Sequence, residues 1–377
     1  MSEVRCQAAV MYTQPGKWEV TEVELDPPRA GEILIRMGAA GLCHSDDHIA
    51  TGDLPLPYLP ACAGHEGAGV IEAVGDGVSR LAVGDHVVTT FIPSCGHCRW
   101  CASGQQALCD NGALLFSGRQ LDDTFRMHAG GTDVGQVAMI STFSEYTVVP
   151  ELSAVRIDPS VPFTSACLLG CCVPTGWGSA VNVGQVAPGD VVIVIGLGGV
   201  GANALQGCRH ASATHILGVD TDPKKLPAAA TFGATQTFTS LDDAADTARQ
   251  LTNGQGADVA IITVGINKGD LMGGALNAIR KAGTVVVTAT GDGRADELVP
   301  VNTVALPMYQ KRLQGAIYGG CSPARAIPTF VDMYKSGQLL LDELITRTYP
   351  LAEINQAYED MHAGNNIRGV IDFVANR

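Results

Sequence analysis

The sequence predicts an α/β protein in two parts: a mainly β region, and a doubly wound parallel sheet covered by helices. Three observations carry this reading. Val191 to Ile195 is wholly apolar, the mark of a strand buried on both faces, and it leads into Gly196-Leu197-Gly198-Gly199-Val200-Gly201 and a helical pattern. Strand and helix signals then alternate as far as Thr288, which is the pattern of a parallel sheet. Before residue 150 the chain reads instead as strands divided by turns, and 377 residues exceed what one hydrophobic core organises.

In order, Ala8–Tyr12, Trp18–Val23 and Glu32–Met37 read as strands, broken at Pro15-Gly16 and Asp26-Pro27-Pro28. Gly41 to His48 reads as a loop, dense in polar chemistry: a thiol, a hydroxyl, two carboxylates and two imidazoles. Val70–Val74 and Asp85–Phe91 are further strands. Residues 110–140, with five glycines, read as loop, and Ser144–Val149 returns to β. After the first apolar strand, the second is His215–Asp220, followed by a helix from Pro223 and a short strand Thr235–Phe238. The helix Leu241–Thr252, the strand Asp258–Val264, the helix Asp270–Ile279 and the strand Thr284–Thr288 complete the alternation. The tail reads as helix 323–336, strand Ile345–Pro350, helix Ala352–His362 and strand Ile367–Phe373, and is expected to rejoin the first part. The domains expected are 1–172 with 318–377, and 173–317.

Composition narrows the function. A net charge of -14 argues against nucleic acid or an anionic membrane as partner. Met1-Ser2-Glu3-Val4-Arg5 opens no apolar leader, which predicts a cytoplasmic chain. Between Val161 and Cys208 the only charge is Asp190, yet prolines, glycines, Asn182 and Gln185 interrupt any membrane-spanning run. Twelve cysteines without an export signal read as thiols, not disulfides.

Four of them, Cys95, Cys98, Cys101 and Cys109, have the spacing C-x2-C-x2-C-x7-C, which fits a closed tetrahedral zinc site. The x7 gap and the lack of a following proline argue against an iron–sulfur cluster. His97 within that loop reads as exposed and non-ligating. The glycine turn is a dinucleotide signal because of its setting: it follows an apolar strand, opens a helix, and precedes Asp220 by nineteen positions counted from Gly201. Gly196 makes the turn, Gly198 admits the pyrophosphate, and Gly201 lets helix pack on strand. The helix N-terminus faces the diphosphate. Asp220 accepts from ribose hydroxyls and repels a 2′-phosphate, which selects NAD(H). Nothing near the N-terminus supports FAD.

With these pieces placed, the chain resembles the zinc-dependent medium-chain alcohol dehydrogenases over essentially its whole length. The matches are Gly41–His48, Gly64-His65-Glu66, the four-cysteine lobe, Gly170-Cys171 and the glycine turn. Residues 94–104, 142–149 and 173–182 resemble the actinobacterial nicotinoprotein members, which depend on N,N-dimethyl-4-nitrosoaniline and in which NAD stays bound and is recycled by an external acceptor. The resemblance implies a GroES-like catalytic domain and a Rossmann coenzyme domain. It also implies two zinc ions and NAD(H), with reversible oxidation of alcohols to aldehydes or ketones.

The resemblance makes Cys43, His65 and Cys171 the catalytic zinc ligands, with Cys172 a rival for the third place. Ser45 would pass the alcohol proton, through the coenzyme ribose, toward His48 near solvent. Asp46 would brace His65, and Glu66 would stand behind the ligands. His44 and Arg368 would meet the pyrophosphate, Lys225 the adenosine ribose, and Thr175 and Val200 the nicotinamide; Gly199 completes the turn. Leu54, Phe91 and Trp177 suit a wall for medium or bulky primary alcohols, and equally a core. A thiol-dependent formaldehyde dehydrogenase is the alternative, weakened by Leu54 and Ala113 where its acidic residue and arginine fall. A non-catalytic NAD-binding redox sensor on the same fold is the alternative from another class. A homodimer or homotetramer is expected, with residues 313–317 as the pairing edge.

Overall fold

The computed structural model describes residues 3–294, 296 and 298–375. Met1 and Ser2 of the N-terminal reading lie outside them. The chain divides into two compact units, Met1–Cys171 with Ser322–Arg377, and Cys172–Cys321.

In the first unit, the strands Val4–Met11, Glu19–Leu25, Met127–Ala129, Thr132–Gln136 and Ala61–Cys62 close into a small barrel. A second sheet runs Ala154–Arg156, His86–Thr89, Gly67–Val74, Glu32–Gly41, Arg368–Asp372, Ile345–Tyr349, with Tyr146–Pro150 also on Glu32–Gly41. Glu32–Gly41 is the axis of this sheet. It pairs antiparallel with three neighbours and buries nine of its ten residues, which is why Ile33, Leu34, Ile35 and Met37 are apolar on both faces. The strand delivers Leu42 and Cys43 to the site. Trp18, Phe143 and Tyr358 fill the core beneath, in edge-on and tilted contacts.

Two stretches read as loop are ordered elements. Within 110–140 the chain makes a hairpin, Met127–Ala129 with Thr132–Gln136. Gly130 and Gly131 turn it at φ of 55° and 80°, the two positive angles that a tight two-residue hairpin turn demands. Strands this short hold too few residues to show a period of two, so only the glycines were visible. Gly41–His48 likewise runs into a helix, His44–Thr51, with extended Cys43 at its N-cap. Asp46 and Asp47 in the first turn suit the positive end of the helix dipole, and Gly52 ends it in the left-handed region at φ 82°.

The second unit is a six-stranded, wholly parallel sheet. Its order is Gln236–Phe238, His215–Val219, Val191–Ile195, Ala257–Ile262, Ile279–Val287, Arg312–Gly315. The first strand in sequence lies in the middle of the order. The switch point, where open α/β sheets bind ligands, therefore falls at the end of Val191–Ile195, at Gly196. All five residues of that strand are buried. The helices Gly199–His210, Leu226–Phe232, Leu241–Leu251 and Gly269–Ala278 cover the sheet. Among the described residues, no single helix is long and apolar enough to cross a membrane.

Candidate active site and metal centres

Cys43 lies at the end of the axial strand, His65 and Glu66 just before the strand Gly67–Val74, and Cys171 where the first segment of the unit ends. One ligand atom from each lies within 4.8 Å of the others, and all four residues are buried. Ligands of one tetrahedral zinc stand about 3.3–3.8 Å apart, so this spacing suits a single ion. The donor set fits zinc, with two thiols and an imidazole. Glu66 Oε1 adds a buried oxygen without a hydrogen-bond partner, which a cation would satisfy. Glu66 thus stands among the ligand atoms themselves.

The electrostatics agree. A hydrogen bond from Cys171, aided by His65 and Arg368 against the cost of burial, holds the Cys43 thiol well below its usual range. Burial opposes a charge on His65, but Asp46 and Cys43 together outweigh it and raise its pKa well above normal. Burial pushes Glu66 up to about 8, against the pull of the Arg368 guanidinium hydrogen-bonded to it. His65 Nδ1 stands 3.0 Å from Asp46 Oδ2, and Gly64 N–H donates to Asp46 Oδ1 at 2.9 Å. The imidazole is thereby oriented with Nε2 left for a metal.

Arg368, read from sequence as a pyrophosphate contact, is buried on the strand beside Gly41 and bonded to Glu66. Cys172, the rival third ligand, lies in the second unit. Its Sγ lies 3.9 Å from Asn203 Nδ2 inside the second unit, while Cys171 joins the ligand set.

Ser45 is exposed, with its Oγ 3.8 Å from Cys43 Sγ. His44 beside it is exposed too. His48, expected near solvent, is 4% exposed, because Gly52 folds the chain back and places Asp53 against the ring. Sequence reasoning missed Asp53 as a partner; the signal was a carboxylate just past the helix-ending glycine. It also left Asp47 unassigned. Asp47 Oδ2 lies 2.8 Å from His362 Nε2, joining two helices far apart in sequence. Phe91 meets the His65 ring edge-on at 5.5 Å, and Leu54 packs on the core with its N–H on the His48 carbonyl. The Trp177 ring packs on His210 within the second unit, at the opposite end of the helix from the glycine turn.

In the lobe, the four sulfurs of Cys95, Cys98, Cys101 and Cys109 also lie within 4.8 Å of one another. Backbone N–H groups of Cys95, Cys98 and Cys101 point at the sulfurs of Cys109, Cys95 and Cys98. Such N–H donors favour thiolates. Those of Cys101 and Asp110 bring Cys98 down to about 6, while burial pushes Cys101 up to about 12. Four thiols so placed could fill every position of a tetrahedral ion, as a closed site requires. His97 is exposed and bonds the Cys95 carbonyl.

In the second unit, Gly196 adopts φ 94°, where a Cβ would press on the Thr263 backbone, and a Cβ on Gly201 would collide with the Gly196 carbonyl. At Gly198, by contrast, a Cβ would meet nothing within 4 Å, so the turn keeps open space in front of it. Asp220 accepts from Leu197 N–H at 2.8 Å, and Lys225 Nζ lies 3.6 Å from the same oxygen. Thr175 is buried on the helix Cys172–Gly178, and Val200 is half-buried on Gly199–His210. The two helices touch closely there, since a Cβ on Gly176 would collide with the Val200 carbonyl.

Comparison with known proteins sets the class first. Residues 29–159 match the family described as alcohol dehydrogenase GroES-like domain, and residues 199–336 the family described as zinc-binding dehydrogenase. The fold is that of the medium-chain dehydrogenases, a GroES-like catalytic part with a Rossmann-like parallel sheet. A putative alcohol dehydrogenase D of Mycobacterium tuberculosis is 45% identical over 98% of this chain and 100% of its own. An NDMA-dependent alcohol dehydrogenase of Amycolatopsis methanolica is 45% identical over 98% and 99%. Benzyl alcohol dehydrogenase of Acinetobacter calcoaceticus superposes with a TM-score of 0.90 at 28% identity, covering 98% and 99%. The chain belongs to the zinc-dependent alcohol dehydrogenase family and is an oxidoreductase that oxidises alcohols.

Proposed function

We propose that the first unit is the catalytic domain and the second the coenzyme domain. In this reading Cys43, His65 and Cys171 hold a catalytic zinc, and Cys95, Cys98, Cys101 and Cys109 hold a second, structural one. NAD(H) lies on Gly196, Gly198, Gly199 and Gly201, with Asp220 and Lys225 at the ribose. The observation that carries this is the buried convergence of two thiols and an imidazole from three separate elements beside an unpartnered carboxylate oxygen. When bound, zinc supplies a Lewis acid that makes an alcohol hydroxyl easier to ionise, and NAD supplies the hydride acceptor.

The chain's own residues do the rest. Asp46 holds the His65 tautomer. Arg368 keeps Glu66 oriented while charge changes beside it. Ser45 Oγ, next to Cys43, receives the alcohol proton, and His48 accepts it in turn. Phe91, edge-on to His65, gives an apolar wall that favours bulky primary alcohols; the similar benzyl alcohol dehydrogenase makes aromatic ones the first to test. Likeness to the NDMA-dependent enzyme supports NAD that stays bound and is reoxidised by an external acceptor. The exposed edge strand Arg312–Gly315 suits pairing with a second copy. The thiol-dependent formaldehyde reading is weakened by half-buried Leu54 and exposed Ala113 at its two recognition positions, although Asp53 adjoins the first.

The test is direct. The protein is dialysed without cofactor and denatured, and released NAD(H) is measured. Benzyl alcohol oxidation is then assayed with an artificial acceptor and no added NAD. Release of about one NAD per chain with acceptor-linked turnover is expected. Turnover only with added NAD would sink the retained-coenzyme part, and a Cys43→Ser protein with parental activity would sink the catalytic-zinc assignment.

A further inference from the structure

A buried imidazole is a poor place to put a proton. His48 is buried, and a charge in a protein interior needs a partner. The structure supplies an answer outside the residues already assigned. His48 Nδ1 lies 3.3 Å from Asp53 Oδ2. Thr51 Oγ1 donates to that same oxygen at 2.7 Å. The geometry comes from the end of the helix. Gly52 turns in the left-handed region, Leu54 N–H donates to the His48 carbonyl at 2.9 Å, and Gln14 Nε2 donates to the Leu54 carbonyl at 2.8 Å. These bonds hold Asp53 beneath the ring. His44, one turn earlier on the same helix, also faces His48, with ring centroids 6.4 Å apart.

We propose that Asp53 is a positioning residue of the proton path. Its carboxylate accepts from Nδ1–H, so the neutral ring keeps its lone pair on Nε2. When the alcohol O–H breaks and the proton reaches His48, it forms an N–H bond on Nε2. The resulting imidazolium lies beside an anion, Asp53 stays ionised throughout, and the same proton later passes from Nε2 to water. The triad of serine hydrolases uses a buried carboxylate in this way, to fix a tautomer and stabilise an imidazolium. Thr51, exposed at its outer side, holds the carboxylate in place. This inference rests on the reading of Ser45 and His48 as the proton path.

The experiment uses the holoenzyme labelled with 15N-histidine, as parent, Asp53→Asn, Asp53→Glu, Thr51→Val and His48→Gln. In the parent, the His48 ring should show one protonated nitrogen, Nδ1, in slow exchange. In Asp53→Asn that resonance shifts or is lost, and kcat for alcohol oxidation falls about tenfold or more. The KM for alcohol stays within about twofold, since the effect lies in the transition state. Asp53→Glu restores part of kcat, which a merely structural role would not predict. Should Asp53→Asn fail to fold, Thr51→Val carries the decision, with a smaller fall in kcat and the same displacement of the Nδ1 signal. A folded Asp53→Asn protein with parental kcat, or an unaltered Nδ1 signal, overturns the role of Asp53 and leaves the His48 path standing. Parental kcat in His48→Gln overturns both.

Discussion

At the scale of single residues, two glycines of one turn separate folding from binding. A methyl on Gly201 collides with the Gly196 carbonyl inside the protein, whereas a methyl on Gly198 meets only open space. Gly201→Ala should therefore lower stability by about 1–3 kcal/mol, read by thermal unfolding of the protein stripped of coenzyme. Gly198→Ala should unfold like the parent in that assay and yet bind NAD(H) more weakly, measured by coenzyme fluorescence titration. Equal effects in both assays would contradict the assignment of Gly198 to the pyrophosphate. Asp46 makes a comparable case. Its carboxylate meets His65 Nδ1 and the Gly64 N–H, so Asp46→Asn should weaken zinc binding about 10–100-fold in competition with a chelator.

Much of the site was legible because soft ligands and glycines have few other reasons to occur at such spacings. The four lobe cysteines and the glycine turn stood out locally, whereas Cys43, His65 and Cys171 were named through the family resemblance. What stayed hidden were pairings. Arg368 and Glu66 are 302 positions apart, and no local pattern links an arginine in the last strand to a carboxylate just before Gly67–Val74. Asp53 was invisible as a partner of His48 because the chain must reverse at Gly52 to bring them together.

At the scale of elements, the parallel sheet was read almost strand for strand, since strands covered on both faces are unbroken apolar runs. Boundaries moved where cooperation between strands, not composition, sets the end; Glu32–Gly41 extends to ten residues because three neighbours pair with it. The hairpin around Gly130 and the helix His44–Thr51 were read as loop. The hairpin strands are too short to show a period of two, and the helix is mostly polar, without an apolar stripe to announce it. In the proposed reading the lobe owes its order to metal. Its thiols have no disulfide and little regular structure around them, a four-residue helix and two short 3-10 helices. Cys101→Ser should lower zinc content by about one ion per chain and reduce the unfolding temperature. Element analysis of the purified protein beside calorimetry checks both, and unchanged zinc content would refute the closed site.

On the scale of the whole molecule, the two units have separate cores, and the parallel sheet ends in an open edge. Leu313 and Ile317 on that edge, and Met308 just before it, are exposed. An open apolar edge of this kind invites pairing. Leu313→Lys should shift the protein toward monomer in sedimentation velocity at micromolar concentration, with the zinc content unchanged. A parental sedimentation coefficient would place the contact elsewhere.

The first unit is made from two segments of the chain, with the second unit inserted between Cys171 and Ser322. This sets a timetable for biosynthesis. As the polypeptide leaves the ribosome, residues 172–321 can complete their sheet while the tail is still being made. The first segment cannot. Its axial strand waits for Arg368–Asp372 to arrive on one side, and Glu66 waits for its guanidinium. The lobe, wholly within the first segment, can take up its metal during synthesis. A site on Cys43, His65 and Cys171, as proposed, would be complete around Glu66 only after that strand has docked.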